Sequence, residues 1–505
     1  MREEWDVVVV GSGNAALCAA IAAKEKGREV LVIEKAHPTL AGGNSKYTAG
    51  AMRFAYTSKD DLLPLLENPN EERIDRTDFG RYPAETFEAD LIGFNGGRPL
   101  SGEQRTLVRE SYDVVRWLAS HDVKFEPIYS RQSFQKNGRY VFWGGLTLAA
   151  KNEGVGLVDA EIQALLGMGG KIRYNCAAVD LTVEDGRVRG VRTESDTGET
   201  GELRARAVIL GCGGFESSAE WRTRFFGEGW DKAKVRGTPH NTGKGLEMAF
   251  RLGAARHGLY EGCHCTPMDL HTPANGNLDL PHIERKHYRK ICYFLGVMIN
   301  ANGERFVDEG KDFRNYTYAQ FGKSVLEQPN HLAWQIFDAK VDHLLYSEYK
   351  FHDAHFVQAD TLDGLVAQLD GVDDKARARA TIDAFNAAVD ESVPFDPTTK
   401  DGRGTRGLEL PKSNWAQRID TAPFKAYPVT GGITFTYGGL RVSEAGGVVH
   451  ADGHDIPGLY ACGELVGGVF FNGYPGGSGL TSGAVFGRRA GHGAARYVEG
   501  PGGAA

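Results

Sequence analysis

The feature that most constrains this chain is an unbroken β-branched run at residues 7–10 that ends on Gly11-Ser12-Gly13-Asn14-Ala15-Ala16. A strand without polar alternation is the kind buried on both faces of a parallel sheet. An Ala-rich stretch at 17–26 reads as a helix, and residues 29–33 read as a second strand ending at Glu34. Strand, glycine turn, helix, strand and terminal acid form the G-x-G-x-x-G/A pattern in the context that gives it meaning. Gly11 makes the turn, Gly13 lets backbone approach a pyrophosphate, and Ala16 lets the helix lie close to the sheet. The free N–H groups of the helix start, at Asn14 and Ala15, suit a phosphate anion. Glu34, followed by Lys35, accepts from an adenosine ribose and repels a 2′-phosphate. An α/β dinucleotide-binding fold is the expectation.

The next turn chooses the dinucleotide. Gly42-Gly43-Asn44-Ser45 and Thr48-Ala49-Gly50 follow the second strand where an NAD domain proceeds directly to a helix. Backbone this bare suits a large planar group, so FAD is expected. Strands at 171–174 and 178–183, the latter including Val179, lead into a hairpin at 184–187, and two further stretches read as strand: the residues after that hairpin and the buried run 207–210. The second opens onto Gly211-Cys212-Gly213-Gly214, and Gly463-Glu464 repeats the strand-to-glycine arrangement. Gly476-Gly477-Ser478-Gly479-Leu480 then starts a last helix, expected to run to Arg489. Its positive N-terminal end favours negative charge on the pyrimidine edge of a flavin.

The chain has 505 residues, enough for two to four domains, with 41% apolar and 25% charged residues. A net charge of -8 argues against nucleic acid as a partner. No apolar run reaches the ~18 residues of a membrane span. The N-terminus enters its first strand without room for a signal peptide, so a cytoplasmic location is expected. Seven cysteines without a C-x-x-C pair predict no disulfide framework. Cys263-His264-Cys265 is read as a loop at a pocket edge, and no metal is expected. Residues 262–433 differ in texture, with clustered His, Arg and aromatics at 264–293, a helical stretch at 361–389 and a polar loop at 394–397. The expected division is an FAD-binding domain at 1–260 and 434–505 around a capping domain at 261–433. Residues 500–505 are expected to be disordered.

These motifs together resemble the flavoprotein superfamily of fumarate reductase and succinate dehydrogenase. The glycine turn, Gly42-Gly43-Asn44-Ser45, Gly213-Gly214-Phe215-Glu216, residues 303–309 and Pro457-Gly458-Leu459-Tyr460 with Gly463-Glu464 match in order. Residues 308–313, Trp415-Ala416, 420–424 and 432–437 bring the chain closest to FAD-dependent tricarballylate dehydrogenases. The resemblance implies a Rossmann-type FAD-binding domain with an inserted α+β substrate-capping domain. It implies transfer of two hydrogens across a carbon–carbon bond beside a carboxyl or carbonyl group, with a separate electron acceptor or donor.

Departures from the family pattern are as informative. Lys46 stands where membrane-bound members carry the His that attaches FAD, which implies non-covalent FAD. Thr434 and Tyr474 stand where fumarate reductases hold a substrate carboxylate with His and Arg. Tyr474-Pro475-Gly476 resembles the turn with which ketosteroid dehydrogenases hold a carbonyl oxygen, which makes the Tyr474 hydroxyl either an oxyanion donor or a core phenol. Arg314 is a proton-transfer group or a carboxylate clamp, with Tyr316 and Tyr318 as neighbouring rivals. Arg285, Arg289, His264 and His271 form an anion pocket or a solvated basic face. A ketosteroid-dehydrogenase-like enzyme and a non-enzymatic flavin-binding protein are the alternative readings.

Overall fold

The computed structural model describes residues 4–276 and 278–500. The readings of the first three residues and of residues 501–505 lie outside these. Strands Asp455–Ala461, Thr200–Leu210, Glu4–Val10, Val30–Ile33 and Lys171–Arg173 lie side by side, all parallel. Val7, Val8 and Val9 are fully buried, as the unbroken run requires. The first half of Thr200–Leu210 also pairs antiparallel with Arg187–Ser195, and that strand with Cys176–Glu184. The turn between the last two places Asp185 and Gly186 at positive φ, 51° and 71°, the backbone of a tight hairpin. Gly447–Val449 completes the eight-stranded sheet.

Helix Asn14–Glu25 packs against the last helix, Ser478–Glu499. Gly483, Gly487 and Gly491 recur every fourth residue along one face of the last helix. A Cβ at Gly487 would stand 2.3 Å from the Ala15 carbonyl oxygen, and one at Gly491 2.2 Å from that of Ala19. Only glycine permits so close an approach. The last helix runs ten residues beyond the expected end because Ala490, Ala494, Ala495 and Val498 continue its buried stripe.

A second, six-stranded sheet is built on Phe424–Thr436, which pairs with Lys234–Val235, Cys263–Asp269, Ala333–Phe337 and Val357–Ala359. Val297–Asn300 extends it beyond Ala333–Phe337. Sheet membership therefore crosses the expected edges at 260/261 and 433/434. Cys263-His264-Cys265 begins a strand and is not a loop. The helical stretch at 361–389 is two helices, Leu362–Ala367 and Lys375–Ala388. Gly371 at φ 77° turns the chain between them, and Asp374 caps the second by accepting from the Arg377 N–H at 2.8 Å. No helix among the described residues is long and apolar enough to cross a membrane.

Glu161 is a costly group of the core. Fully buried on helix Glu153–Gly167, it accepts from the Cys18 thiol at 3.5 Å, and its second oxygen has no partner. Burial pushes its carboxyl well above the usual range. A pKa raised by folding contributes stability below the unfolded value and loses it as pH rises, by about 1.4 kcal/mol per pH unit. Glu161→Gln removes this dependence. Its melting temperature relative to wild type is expected to rise steadily from about pH 5 to about pH 8. A pH-independent difference would contradict the assignment.

Candidate active site

Two cavities meet along the C-terminal ends of the parallel strands, the edge of such a sheet where ligands bind. The first is lined by Gly11, Gly13, Asn14, Ala15, Glu34, Lys35, Gly43, Val179 and Gly213. Gly11 is at φ 102°, and a Cβ there would stand 2.6 Å from the Gly211 carbonyl oxygen. At Gly13 a Cβ would come no nearer than 3.5 Å to any atom, an ordinary contact with the Ser45 hydroxyl, so glycine is not required there by crowding. The helix begun by Gly13 has no side-chain cap from that residue; the expected free Asn14 N–H instead donates to the Ser45 hydroxyl at 3.0 Å, and the N–H groups after it are left for an anion. Glu34 closes the cavity floor, accepting from the Ser12 N–H and hydroxyl and from the Ala36 N–H at 2.6–2.9 Å. These residues fit an adenosine pyrophosphate.

Asn14, Ala15, Asn44, Ser45, Gly463 and Glu464 line both cavities and form the waist between them. Asn44 is a latch: its Nδ2 donates to Glu216 and to the Thr434 carbonyl, both at 2.6 Å, and its Oδ1 accepts from the Thr238 N–H at 2.8 Å. Lys46 turns away from both cavities to pair with Asp159 at 3.0 Å. It has no ring nitrogen for a flavin bond. Acid or heat denaturation is expected to release all flavin, and fluorescence left on the denatured polypeptide would contradict this.

The second cavity is lined by Thr48, Ala49, Gly479 and Leu480 on one side and by basic and phenolic residues on another. Gly477 starts the last helix at φ 89° without a side-chain cap; the Ser478 N–H donates to the Pro475 carbonyl at 3.1 Å, and Gly477, Gly479 and Leu480 line the cavity. Four arginines, Arg131, Arg236, Arg289 and Arg314, share this wall. Arg289 and Arg131 flank the buried Glu348, at 2.8 and 3.5 Å, and against burial they hold its carboxyl well below the usual range. Arg236 donates to the Thr434 hydroxyl at 3.1 Å and the Tyr47 carbonyl at 3.2 Å, and its Nε has no partner. Burial and the nearby Arg289 pull Arg236 down to about 10, so it remains charged at neutral pH. Arg314 donates to the Tyr346 hydroxyl at 3.2 Å and the Arg131 carbonyl at 2.7 Å. Burial lowers its pKa, but Tyr346 more than offsets this and the net shift is upward.

Tyr474 and Tyr318 also line this wall, with their hydroxyls 2.6 Å apart. Arg314 and Tyr318 are four residues apart on helix Arg314–Leu326 and share a face. Tyr316, two residues on, points elsewhere and donates to the Gly144 carbonyl at 3.1 Å. His264 stands behind the wall, its ring 4.9 Å from that of Tyr318, 5.2 Å from Tyr474 and 5.3 Å from Phe435. Burial and Arg236 push its pKa well below the usual range, so it packs as a neutral ring.

Arg285 and His271 do not line the cavities, and neither do Gly42, Gly50 and Ser478. Gly42 packs on Lys46, Gly50 on the backbone of Glu153, and the Ser478 hydroxyl on the Pro475 carbonyl. Sequence reasoning missed Arg131, Arg236 and Glu348. Arg131 and Glu348 sit in one-turn helices, Tyr129–Gln132 and Ser347–Tyr349, without a motif. Arg236 follows the two-residue strand Lys234–Val235, whose pairing with 432–433 brings it to Thr434.

An α/β fold with a phosphate-ready glycine turn, a bare loop for a planar ring and a basic wall beside it defines an FAD-dependent flavoprotein. The chain belongs to the FAD binding domain family, whose model matches residues 6–480, and FAD is its cofactor. Within it the chain falls in the fumarate reductase and succinate dehydrogenase superfamily. It is 25% identical over 508 residues to NADH:fumarate oxidoreductase of Klebsiella pneumoniae (strain 342), covering 99% of this chain and 48% of that protein. The chain thus spans about half the length of the first curated relatives it matches. Its fold matches a flavocytochrome c3 fumarate reductase in its open conformation, with a TM-score of 0.72 at 23% identity over 98% of this chain and 79% of that one. It also matches 3-ketosteroid Δ1-dehydrogenase from Sterolibacterium denitrificans, with a TM-score of 0.73 at 20% identity over 98% and 100%.

Proposed function

We propose that the chain is an FAD-dependent oxidoreductase acting on a carbon–carbon bond adjacent to a carboxyl group, with a polycarboxylate of the tricarballylate kind as substrate. The observation that carries this reading is the wall of Arg131, Arg236, Arg289 and Arg314 beside the flavin loops, against two carboxylates, the fully buried Glu348 and Glu153, which lies 3.5 Å from Arg131. Buried positive charge in such excess calls for an anion with more than one carboxylate. FAD, when bound, accepts or delivers the hydride. Arg314 holds a substrate carboxylate, Arg236 and Thr434 hold another, and the Tyr474 hydroxyl donates to the substrate oxygen on which negative charge develops. Residues 261–433 serve as the cap that carries Arg289 and Arg314 over the flavin, and an external electron partner completes the cycle.

A ketosteroid-dehydrogenase-like activity is the second reading, favoured by the apolar part of the same cavity, where Phe435, Val466, Val469 and Phe470 stand beside Tyr474. Anaerobic mixing of the holoprotein with tricarballylate, smaller dicarboxylates and a 3-ketosteroid tests both. Bleaching of the flavin by a polycarboxylate alone supports the proposal. Bleaching by the steroid alone overturns it in favour of the second reading, and no bleaching by any of these overturns both.

A further inference from the structure

Arg53 lines neither cavity, yet it grips the turn that carries Tyr474. It is fully buried, and its Nε donates to the Gly476 carbonyl at 2.8 Å and its Nη1 to the Gly144 carbonyl at 2.6 Å. Its backbone N–H donates to the Gly477 carbonyl at 3.1 Å. The guanidinium stands 4.7 Å from the ring centre of Tyr82 and 5.4 Å from that of Tyr316. Its partners are thus carbonyls and ring faces, and its Nη2 has no partner. A charge buried in this way costs stability, so its placement calls for another reason.

The other side of the same turn is held by helix Arg314–Leu326. The Gly476 N–H donates to the Asn315 carbonyl at 2.8 Å. Asn315 Nδ2 and the Tyr316 hydroxyl, each at 3.1 Å, share the Gly144 carbonyl with Arg53. A Cβ at Gly476 would stand 3.1 Å from the Tyr318 ring, so the turn lies directly on that phenol. Gly476 is therefore fixed from two sides, and the Pro475 ring locks its own φ. Few torsions remain between Gly476 and Tyr474, whose hydroxyl lies 2.6 Å from that of Tyr318.

We propose that Arg53 is a positioning residue that aims the Tyr474 hydroxyl by keeping its turn seated on helix Arg314–Leu326, a role that rests on Tyr474 acting as donor in the proposed reaction. Two carbonyls on separate segments need two donors at a fixed angle. The planar guanidinium supplies them, and an ammonium on a flexible stem does not. A donor shifted away from the oxygen that gains charge loses its effect on the rate. Substrate binding is affected less, because the carboxylates are held by other residues.

Stopped-flow reduction of the holoprotein by tricarballylate is compared in wild type, Arg53→Lys, Tyr474→Phe and the double variant, each rate taken per bound flavin. Arg53→Lys is expected to slow reduction about 10–100-fold, with KM within about threefold of wild type. The double variant is expected to be no slower than Tyr474→Phe alone, because Arg53 acts through the hydroxyl already removed. Slowdowns that multiply in the double variant would make Arg53 merely structural and overturn the proposal. An unslowed Arg53→Lys beside a slowed Tyr474→Phe overturns it as well and leaves the role of Tyr474 standing. Tyr474→Phe at the wild-type rate, or no reduction of wild type, overturns the proposed reaction and the positioning role with it. If Arg53→Lys fails to fold, Arg53→Gln, shorter and uncharged, takes its place in the same cycle.

Discussion

Tyr474→Phe is expected to slow flavin reduction by substrate about 10²–10³-fold, with the larger effect on kcat than on KM. Of the two hydroxyls 2.6 Å apart, one donates to the other. With Tyr318 donating, the Tyr474 proton is free to meet a substrate oxygen. Burial and then Tyr318 raise the Tyr474 pKa well above the usual phenol range, so it remains a neutral donor at any working pH. Such a bond is stronger to the charged oxygen of the transition state than to the ground-state carbonyl or carboxyl, which is why kcat carries the loss. The phenyl ring still packs on His264, Phe435 and Phe470, so FAD content should not change. Stopped-flow reduction at the wild-type rate would make Tyr474 a core phenol.

Arg314→Lys should raise KM about 10–100-fold and leave kcat nearly unchanged, the loss of about 1.5–3 kcal/mol expected for a charge-assisted fork. The reason lies in how Arg314 is held. The Tyr346 hydroxyl and the Arg131 carbonyl take its Nε and one terminal nitrogen, and its net pKa shift is upward, so it is built to keep its proton. A lysine keeps the charge but presents one donor point in place of a plane. Lower kcat at unchanged KM would instead make Arg314 the proton-transfer group. The wild-type value of both constants would remove it from the substrate.

Readings that rest on local physics agree with the structure. The glycine turn, the two flanking strands, Glu34 on the cavity floor and the 184–187 hairpin each depend on a few neighbouring residues. Other local rules sort residues that lie close together in sequence. Of Arg314, Tyr316 and Tyr318, only the first and last reach the cavity, because a helix starting at Arg314 puts residues i and i+4 on one face and i+2 on another. The end expected at Arg489 ignored the Ala490, Ala494 and Val498 stripe that continues the helix.

What the amino-acid order determined alone is the nucleotide half of this protein. There the ligand is held by backbone, and backbone geometry is set by residues close in sequence: a glycine where φ must be positive, small residues where a helix meets a strand, an acid at a strand end. The substrate half was decided by the tertiary structure. Arg131, Arg236, Arg289 and Arg314 come from four separated segments and converge on one wall. Thr434 reaches Arg236 because Lys234–Val235 pairs with Gly432–Ile433 across the second sheet. No spacing along the chain records such a meeting, because side chains that act through space are brought together by the packing of whole elements. His264 shows the same point from the other side: the cluster of Arg and His residues puts it in an anion pocket or on a solvated basic face, and packing places it one layer behind the phenols.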